Sequence, residues 1–335
     1  MLFQSGAAAV LAAAGLDALI GDPLWCPHPV VLMGKLISRL RLWVERLSGD
    51  RPEALRLGGG LITAVLVLGA GSCGWLVEQL ARASPVGSAL LVLGLASALA
   101  ARSLHDSVAA ILSALPDQPQ GDLKAARERL SWIVGRDVQQ LREPEILRAA
   151  AESASENAVD GLFAPLFWMI IGVVLQTLSP QLPGPLALAW AFKASSTLDS
   201  MLGYRRGRLR WLGTAGARLD DLLTWLPCRL VMITLPLVSQ PWRELPALVR
   251  AAERDGAPDP SPNAGRSEAI YAHCAGVQLG GRNRYGERWI DKPVLAADLP
   301  QADRNAVNRI LVLTSRLESL WLLLLLLVAL LMAGQ

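Results

Sequence analysis

Charge is scarce in this sequence. Only 18% of its 335 residues are Asp, Glu, Lys or Arg, against roughly 25% in an ordinary soluble domain. No charged side chain precedes Asp17 and none follows Glu318. The net charge of +3 is small, and no Lys/Arg cluster is interleaved with aromatic residues, which excludes the footprint of a nucleic-acid binder. Cysteine is sparse as well: Cys26, Cys73, Cys228 and Cys274 lie far apart and no pair has CxxC spacing. Neither a zinc knuckle nor a redox dithiol is supported, and isolated thiols of this kind read as small apolar packing residues. A Walker A sequence is missing, so any ATP would bind by another route. The N-terminus lacks both a basic n-region and a clean A-x-A cleavage site, and it reads as a retained membrane segment.

What the chain has in quantity is apolar surface: 52% hydrophobic residues and a mean hydropathy of +0.36. Length alone would fit two or three soluble domains, but this composition predicts apolar helices in lipid joined by polar loops. A span needs about 20 mostly apolar residues. Segments of that kind occur near 2–20, 58–77, 85–104, 162–178, 184–198, 222–239 and 310–333. The expected fold is all-α, a polytopic helical membrane protein with about five to seven apolar segments forming one integral-membrane domain over residues 1–335. Segments 162–178 and 184–198 are separated only by Ser179-Pro180-Gln181-Leu182-Pro183, which predicts a helical hairpin.

The polar stretches are 35–56, 105–160, 199–221 and 240–309. Their basic residues place them on the cytoplasmic side of an inner membrane, with the N-terminus outside. Segment 222–239 contains Pro227, Arg229 and Pro236, poor content for a plain lipid-facing helix. It reads as a broken or re-entrant segment, which keeps 240–309 cytoplasmic. Within 105–160, Leu123 to Leu130 has an amphipathic helical pattern. Gly69-Ala70-Gly71-Ser72-Cys73-Gly74 matches GxGxxG but lies inside an apolar segment, where small residues let helices approach closely.

Polar residues that carry chemistry fall in four clusters. Gly21-Asp22-Pro23 and Pro27-His28-Pro29 follow the first apolar segment. Asp22 and His28 either form part of a site on a rigid turn or simply stop a helix. Ahead of the fourth apolar segment, Glu152, Glu156 and Asp160 stand at i, i+4 and i+8. On one helix face their charges repel unless a cation or an arginine relieves them, and magnesium suits such a set. Lys193, Ser196, Asp199, Tyr204, Arg218, Asp220 and Asp221 bracket two apolar segment ends; Arg218 and Asp221 would also suit a simple ion pair. Ser261-Pro262-Asn263-Ala264-Gly265 and the later Gly280-Gly281-Arg282-Asn283-Arg284 are turn sequence. Such loops either only punctuate the chain or cradle phosphate, with Arg282 or Arg284 reinforcing the amides.

Together these motifs resemble the CobD/CbiB family, the adenosylcobinamide-phosphate synthases. The resemblance runs in order through Gly-Asp-Pro with Pro-His-Pro-Val at 21–30, Ile-Val-Gly-Arg-Asp at 133–137 and Glu-Asn-Ala-Val-Asp-Gly with Ala-Pro-Leu-Phe at 156–167. It continues with Lys-Ala-Ser-Ser-Thr-Leu-Asp-Ser-Met-Leu-Gly-Tyr at 193–204, Ala-Arg-Leu-Asp-Asp at 217–221 and Ser-Pro-Asn-Ala-Gly at 261–265. The chain departs from the family where Arg266-Ser267 precede Glu268-Ala269, at the basic run Arg205-Arg206-Gly207-Arg208, and at Ser196.

The resemblance implies a membrane enzyme that joins aminopropanol phosphate to the free propionate carboxyl of adenosylcobyric acid, using ATP and magnesium. A carboxylate and an amine do not condense in water without activation, and phosphoryl transfer needs positioning and charge neutralisation. On this reading Glu156 and Asp160, with Asp199, hold magnesium, and Glu156 also belongs to the catalytic set. Arg136, Lys193 and Arg218 neutralise phosphate. Asp22, His28, Asn157 and Asn263 join the substrate-binding set, and Asp220 or Asp221 accepts the proton of the attacking ammonium. The expected partners are the corrinoid substrate, membrane lipid, and other cobalamin-pathway enzymes or a second copy of the chain. The rival classes are a transporter, whose coupling-ion sites also use paired carboxylates near broken helices, and a non-catalytic scaffold for corrinoid enzymes.

Overall fold

The structure, a computed structural model, describes residues 2–22, 28–118 and 121–333, without the side chains of Leu2 and Phe3. Pro23, Pro27 and Cys26, which figured in the first turn and in the cysteine reading, lie outside the described residues. The helices are α1 (Leu2–Ile20), α2 (Pro29–Ser48), α3 (Pro52–Ala83), α4 (Pro85–Ala96), α5 (Ala101–Ser113), α6 (Lys124–Ser131) and α7 (Glu143–Ala158). A π turn at Val159–Phe163 leads into α8 (Ala164–Leu178), and α9 (Pro185–Leu202), α10 (Leu209–Leu212) and α11 (Thr214–Ser239) follow. After α12 (Leu245–Gly256) and α13 (Ala264–Ala275) come β1 (Leu279–Tyr285), β2 (Arg288–Leu295) and α14 (Arg304–Ala333).

Proline does much of the punctuation. It stands in the first turn of α2, α3, α4, α7, α8, α9 and α12, where its missing N–H has no helical partner to lose. Among the described residues five helical stretches are long and apolar enough to cross a membrane: Pro52–Ala83, Pro85–Ser113, Glu143–Leu178, Thr214–Ser239 and Arg304–Ala333. The first apolar segment is a shorter helix, and the 162–178/184–198 pair is the expected hairpin, α8 packed on α9. Two expectations need correction. Residues 35–56 are not a loop: most belong to α2, whose Met33, Ile37 and Val44 are buried, with a turn at Gly49 (φ 58°) before α3. Segment 222–239 is not broken either, because α11 continues through Pro227 and Pro236 as one helix.

The chain divides into two compact units. The first comprises Met1–Arg102, Asp160–Thr224 and Leu322–Gln335; the second comprises Ser103–Val159 and Trp225–Trp321. In the first unit α3 lies against α2, α4, α9 and α10, while α1 lies against α4 and α8. Met33, Ile37, Leu55, Ile62, Leu66, Leu198 and Leu212 form its core. The GxGxxG stretch sits in the middle of α3, with none of the strand–turn–helix setting a dinucleotide needs. A Cβ on Gly74 would lie 2.8 Å from the backbone of Ala187, and one on Gly71 would lie 3.5 Å from Ala187 O, whereas Gly69 meets nothing within 4 Å. Gly71 and Gly74 thus serve close packing of α3 on α9.

Four residues beyond Gly74, Glu78 is 3% exposed. Its carboxylate accepts hydrogen bonds from the backbone N–H of Gly184 (2.9 Å), Leu186 (2.7 Å) and Ala187 (2.9 Å), and from Gln176 Nε2 (3.1 Å). The first N–H groups of a helix have no partner within it, so one helix supplies the cap of another. Asp17, 2% exposed, does the same on a smaller scale by accepting from the N–H of Ala101 at 2.9 Å.

The second unit packs α7 against α6, α13 and β1, and α13 against α12 and both strands. The predicted amphipathic helix is α6, with Ala126 and Leu130 buried. The β1–β2 hairpin is the one departure from an all-helical description among the described residues. Its pairing runs from Leu279↔Leu295 to Tyr285↔Arg288 and shifts register between Gly280 and Arg282.

Replacing Glu78 with Ala should lower stability in detergent by on the order of 2–3 kcal/mol, since several buried donors lose their acceptor. Gly74→Val should cost about 1–3 kcal/mol through overpacking, while Gly69→Val leaves the thermal midpoint nearly unchanged. Thermal unfolding of the three variants checks both statements.

Candidate functional site

The second unit gathers charge around the C-terminal half of α7. Ala149, Ala150, Ala151, Ala154 and Ala158 are buried, and such small side chains let neighbouring elements approach closely. Glu152, 1% exposed, carries the first layer. Its Oε2 accepts from Arg136 Nη2, and its Oε1 accepts from Gly280 N at 2.8 Å and lies 3.8 Å from Arg148 Nη1. Asn283 Oδ1 accepts from Arg136 Nη1 (2.8 Å) and Arg148 Nη2 (3.0 Å). Arg148 also donates to the carbonyls of Gly280 and Arg282. These contacts depend on the irregular start of β1. Gly280 (φ 78°) and Gly281 (φ 90°) occupy backbone regions that L side chains avoid, and a Cβ on Gly280 would lie 1.9 Å from Pro293 O.

A second layer surrounds Lys292 of β2. Its Nζ lies 3.2 Å from Glu268 Oε1 on α13 and 3.9 Å from Asp259 Oδ2. Glu156, one turn beyond Glu152 on α7, feels Lys292 most strongly among its charged neighbours, then Asp259, Arg136 and Glu152. Burial pushes the Glu268 carboxyl up to about 8; Lys292 lowers it and Glu152 and Glu156 raise it further. Burial alone would lower the Lys292 ammonium, but Glu268, Glu156 and Asp259 more than reverse that and hold it charged. The cluster therefore pairs a fixed cation with a carboxyl that exchanges its proton near neutrality, a combination suited to acid–base work.

Repulsion on the Glu152/Glu156 face called for a cation or an arginine, and Arg136, Arg148 and Lys292 provide relief. The stripe stops there: Asp160 falls in the π turn Val159–Phe163, whose wider turn breaks the 3.6-residue repeat. π turns of this kind recur at functional sites. In the first unit Asp160 heads the carboxylates around Lys193, followed by Asp22, Asp220 and Asp17. Asp22 Oδ1 lies 3.2 Å from His28 Nε2, while His28 Nδ1 accepts from Val30 N (3.3 Å) as the cap of α2. Site and helix boundary thus coincide.

The remaining predicted residues are more dispersed. Asp199 lies in the last turn of α9, where its backbone carbonyl accepts from Gly203 N at 2.7 Å, and Asp221 follows Asp220 on α11. Arg218 stands on the exposed side of α11. Asn157 is exposed and donates back to Ser153 O at 2.8 Å. Asn263, 5% exposed, accepts from Arg229 Nη1 at 2.7 Å and begins α13. Among the described residues no three His, Cys, Asp or Glu side chains gather as a ready metal-ligand set. Magnesium does not require one, since it is commonly held by one or two carboxylates with water and substrate phosphate. Of the predicted ligands only Glu156 belongs to this cluster, with Lys292, Asp259, Arg136 and Glu152 as its charged neighbours, whereas Asp160 and Asp199 belong to the first unit.

Sequence reasoning missed Glu268, Asp259, Lys292, Arg148 and Glu78. Glu268 was visible only as the end of the Ser-Pro-Asn-Ala-Gly stretch, and nothing local marks Lys292, which reaches the cluster through the hairpin.

A family model described as CobD/Cbib protein matches residues 10–314. The chain is 42% identical over 282 residues to "Cobalamin biosynthesis protein CobD" of Synechocystis sp., covering 84% of this chain and 79% of that one. It is 41% identical over 306 residues to the CobD protein of Geobacter metallireducens, covering 89% of each. Identity to "Cobalamin biosynthesis protein CbiB" of Salmonella typhimurium is 40% over 287 residues, covering 83% of each. No solved structure matches the chain.

The titration of Glu268 gives a stability test. A carboxyl raised from 4.5 to about 8 by folding binds its proton more tightly in the folded state. Its contribution is complete below about pH 4.5 and is lost as pH rises through about 8. The Glu268→Gln variant keeps the neutral form at every pH, so its thermal midpoint should fall less than the wild type's between those values.

Proposed function

Because the chain belongs to the CobD/CbiB family of cobalamin biosynthesis proteins, we propose that it performs the amide-forming step expected from its motifs. That step is the ATP-dependent joining of a corrin propionate carboxyl to aminopropanol phosphate. The observation that carries this reading is the cluster of Glu156, Glu268 and Asp259 around Lys292, with Arg136 and Glu152 behind it.

The chemistry divides into two displacements. A propionate oxygen attacks phosphorus of ATP and expels ADP or pyrophosphate, giving an acyl phosphate or acyl adenylate. The amine nitrogen then attacks the acyl carbon, the phosphate or AMP departs, and the nitrogen gives up a proton. Lys292 and Arg136 oppose the negative charge of carboxylate and phosphate groups entering the cluster. Glu268, whose carboxyl burial pushes up to about 8, joins Asp220 and Asp221 as a candidate to take the ammonium proton. Magnesium would neutralise phosphate charge, and Glu156 would be the carboxylate of this cluster to hold it. Lys193 with Asp160, Asp22 and Asp220 forms a second charged group, which belongs to the first unit. The helices long and apolar enough to cross a membrane anchor this chemistry, which we place on the cytoplasmic face of the inner membrane.

Purified full-length protein in detergent, given adenosylcobyric acid, aminopropanol phosphate, ATP and magnesium, should form the condensed amide detectable by mass spectrometry. Glu156→Gln and Glu268→Gln should each reduce the rate by about 10²-fold or more. Folded wild-type protein that yields no product across lipid and metal conditions would sink this reading.

A further inference from the structure

Beside the carboxylate cluster, the second unit holds a cavity of about 130 Å³ whose wall includes Arg136, Arg148, Arg282, Asn283, Arg284 and Trp289. It shares Glu145, Arg148 and Arg282 with an adjoining cavity of about 520 Å³ that adds Arg142. Four carboxylates face these five arginines, so one positive charge is left over. Glu152 is divided between Arg136 and Arg148, and Glu145 accepts from the N–H of Arg142 at 2.8 Å and lies 3.6 Å from its Nε. Asp137 pairs loosely with Arg284 at 3.8 Å, and the largely exposed Asp291 with Arg282 at 3.7 Å.

The decisive group is Asn283, which is 2% exposed. Two guanidinium groups donate to its Oδ1, so the amide has only one orientation; flipping it would set N–H against N–H. Its Nδ2 is thereby fixed as a donor, and it has no acceptor among the described residues. A buried amide donor without an acceptor is expensive. An arginine-walled cavity with a fixed amide donor offers the complement of a tetrahedral oxyanion, several charged donors and no obligatory proton acceptor.

From this arrangement we infer that the hairpin cavity is an anion site that takes a phosphate monoester dianion, with Asn283 Nδ2 and the Arg282 and Arg284 guanidinium groups as donors. The phosphate could be borne by an amino-alcohol phosphate or by a nucleotide; choosing the amino-alcohol phosphate rests on the synthase reading above, whereas the anion site does not. Its placement beside Glu156 and Lys292 would hold the phosphate of the amine substrate while leaving the amine free to reach the cluster.

The test is binding to the purified full-length protein in detergent, followed by calorimetry and ³¹P NMR. The probes are O-phosphoethanolamine, ethanolamine, inorganic phosphate and a non-hydrolysable ATP analogue. Asn283→Asp preserves the acceptor for both arginines and replaces the free donor with an oxygen. Arg282→Gln changes a side chain that is 63% exposed, so it keeps the test available if the first variant misfolds. O-phosphoethanolamine and phosphate should bind, ethanolamine should not, and each variant should weaken the phosphate probes about 10-fold or more. If only the ATP analogue is weakened, the anion site stands with nucleotide as its source. Equal affinities in wild type and folded variants, or no phosphate binding to folded wild type, overturn it. The product assay is read separately: phosphate binding without amide product condemns the synthase reading alone, and product formation indifferent to variants that weaken phosphate binding removes the amino-alcohol phosphate as the occupant of the site.

Discussion

Burying a carboxylate is tolerable only when its lone pairs are met, and Glu78 of α3 meets that condition with the first turn of α9. Three backbone N–H groups and one amide surround it. The helix end needs acceptors as much as the carboxylate needs donors, so a single contact cancels two desolvation penalties. The contact also fixes where α9 begins and, with Gly74 and Gly71 one and two turns earlier on α3, how closely the two helices run. Lys193, two turns into α9, inherits its position among Asp160, Asp22 and Asp220 from that arrangement.

The second unit solves the same problem with cations. Glu152 is held by Arg136, Arg148 and the N–H of Gly280, and both guanidinium groups then converge on Asn283. α7, the loop bearing Arg136 and the strand β1 become one hydrogen-bonded lattice. Its rigidity suits a site, because charged groups held in place need little rearrangement when charge develops between them. Glu156, Glu268 and Lys292 stand beside that lattice with a different character, two buried carboxyls gathered around one ammonium.

Much of the fold could be read directly from residue patterns. Apolar runs of helical length and the Ser179–Pro183 turn marked α1, α3, α8, α9 and α14 because lipid-facing helices must be apolar along their length. The α11 expectation failed because Pro227 and Pro236 were weighed as breakers, whereas a long helix can absorb a proline when neighbours satisfy the freed carbonyl. The hairpin escaped notice because Gly280, Gly281 and Pro293 spoil the alternation by which strands are recognised. At the site, Glu156 and Arg136 were legible from motif and spacing. Lys292 and Asp259 were not, since their meaning comes from contacts between elements distant in sequence. Glu78 was hidden because a lone acid near the end of an apolar run gives no sign of the helix end it serves.

The contact at Glu78 also sets an order of events during synthesis. Gly184 follows Glu78 by 106 residues, and chains grow at about 5–20 residues per second, so roughly 5–20 s separate the emergence of the acid from that of its donors. Throughout that interval α3 carries an unmet carboxylate in an otherwise apolar helix. The seat of α3 against α9 can therefore be completed only after more than half of the chain has been made.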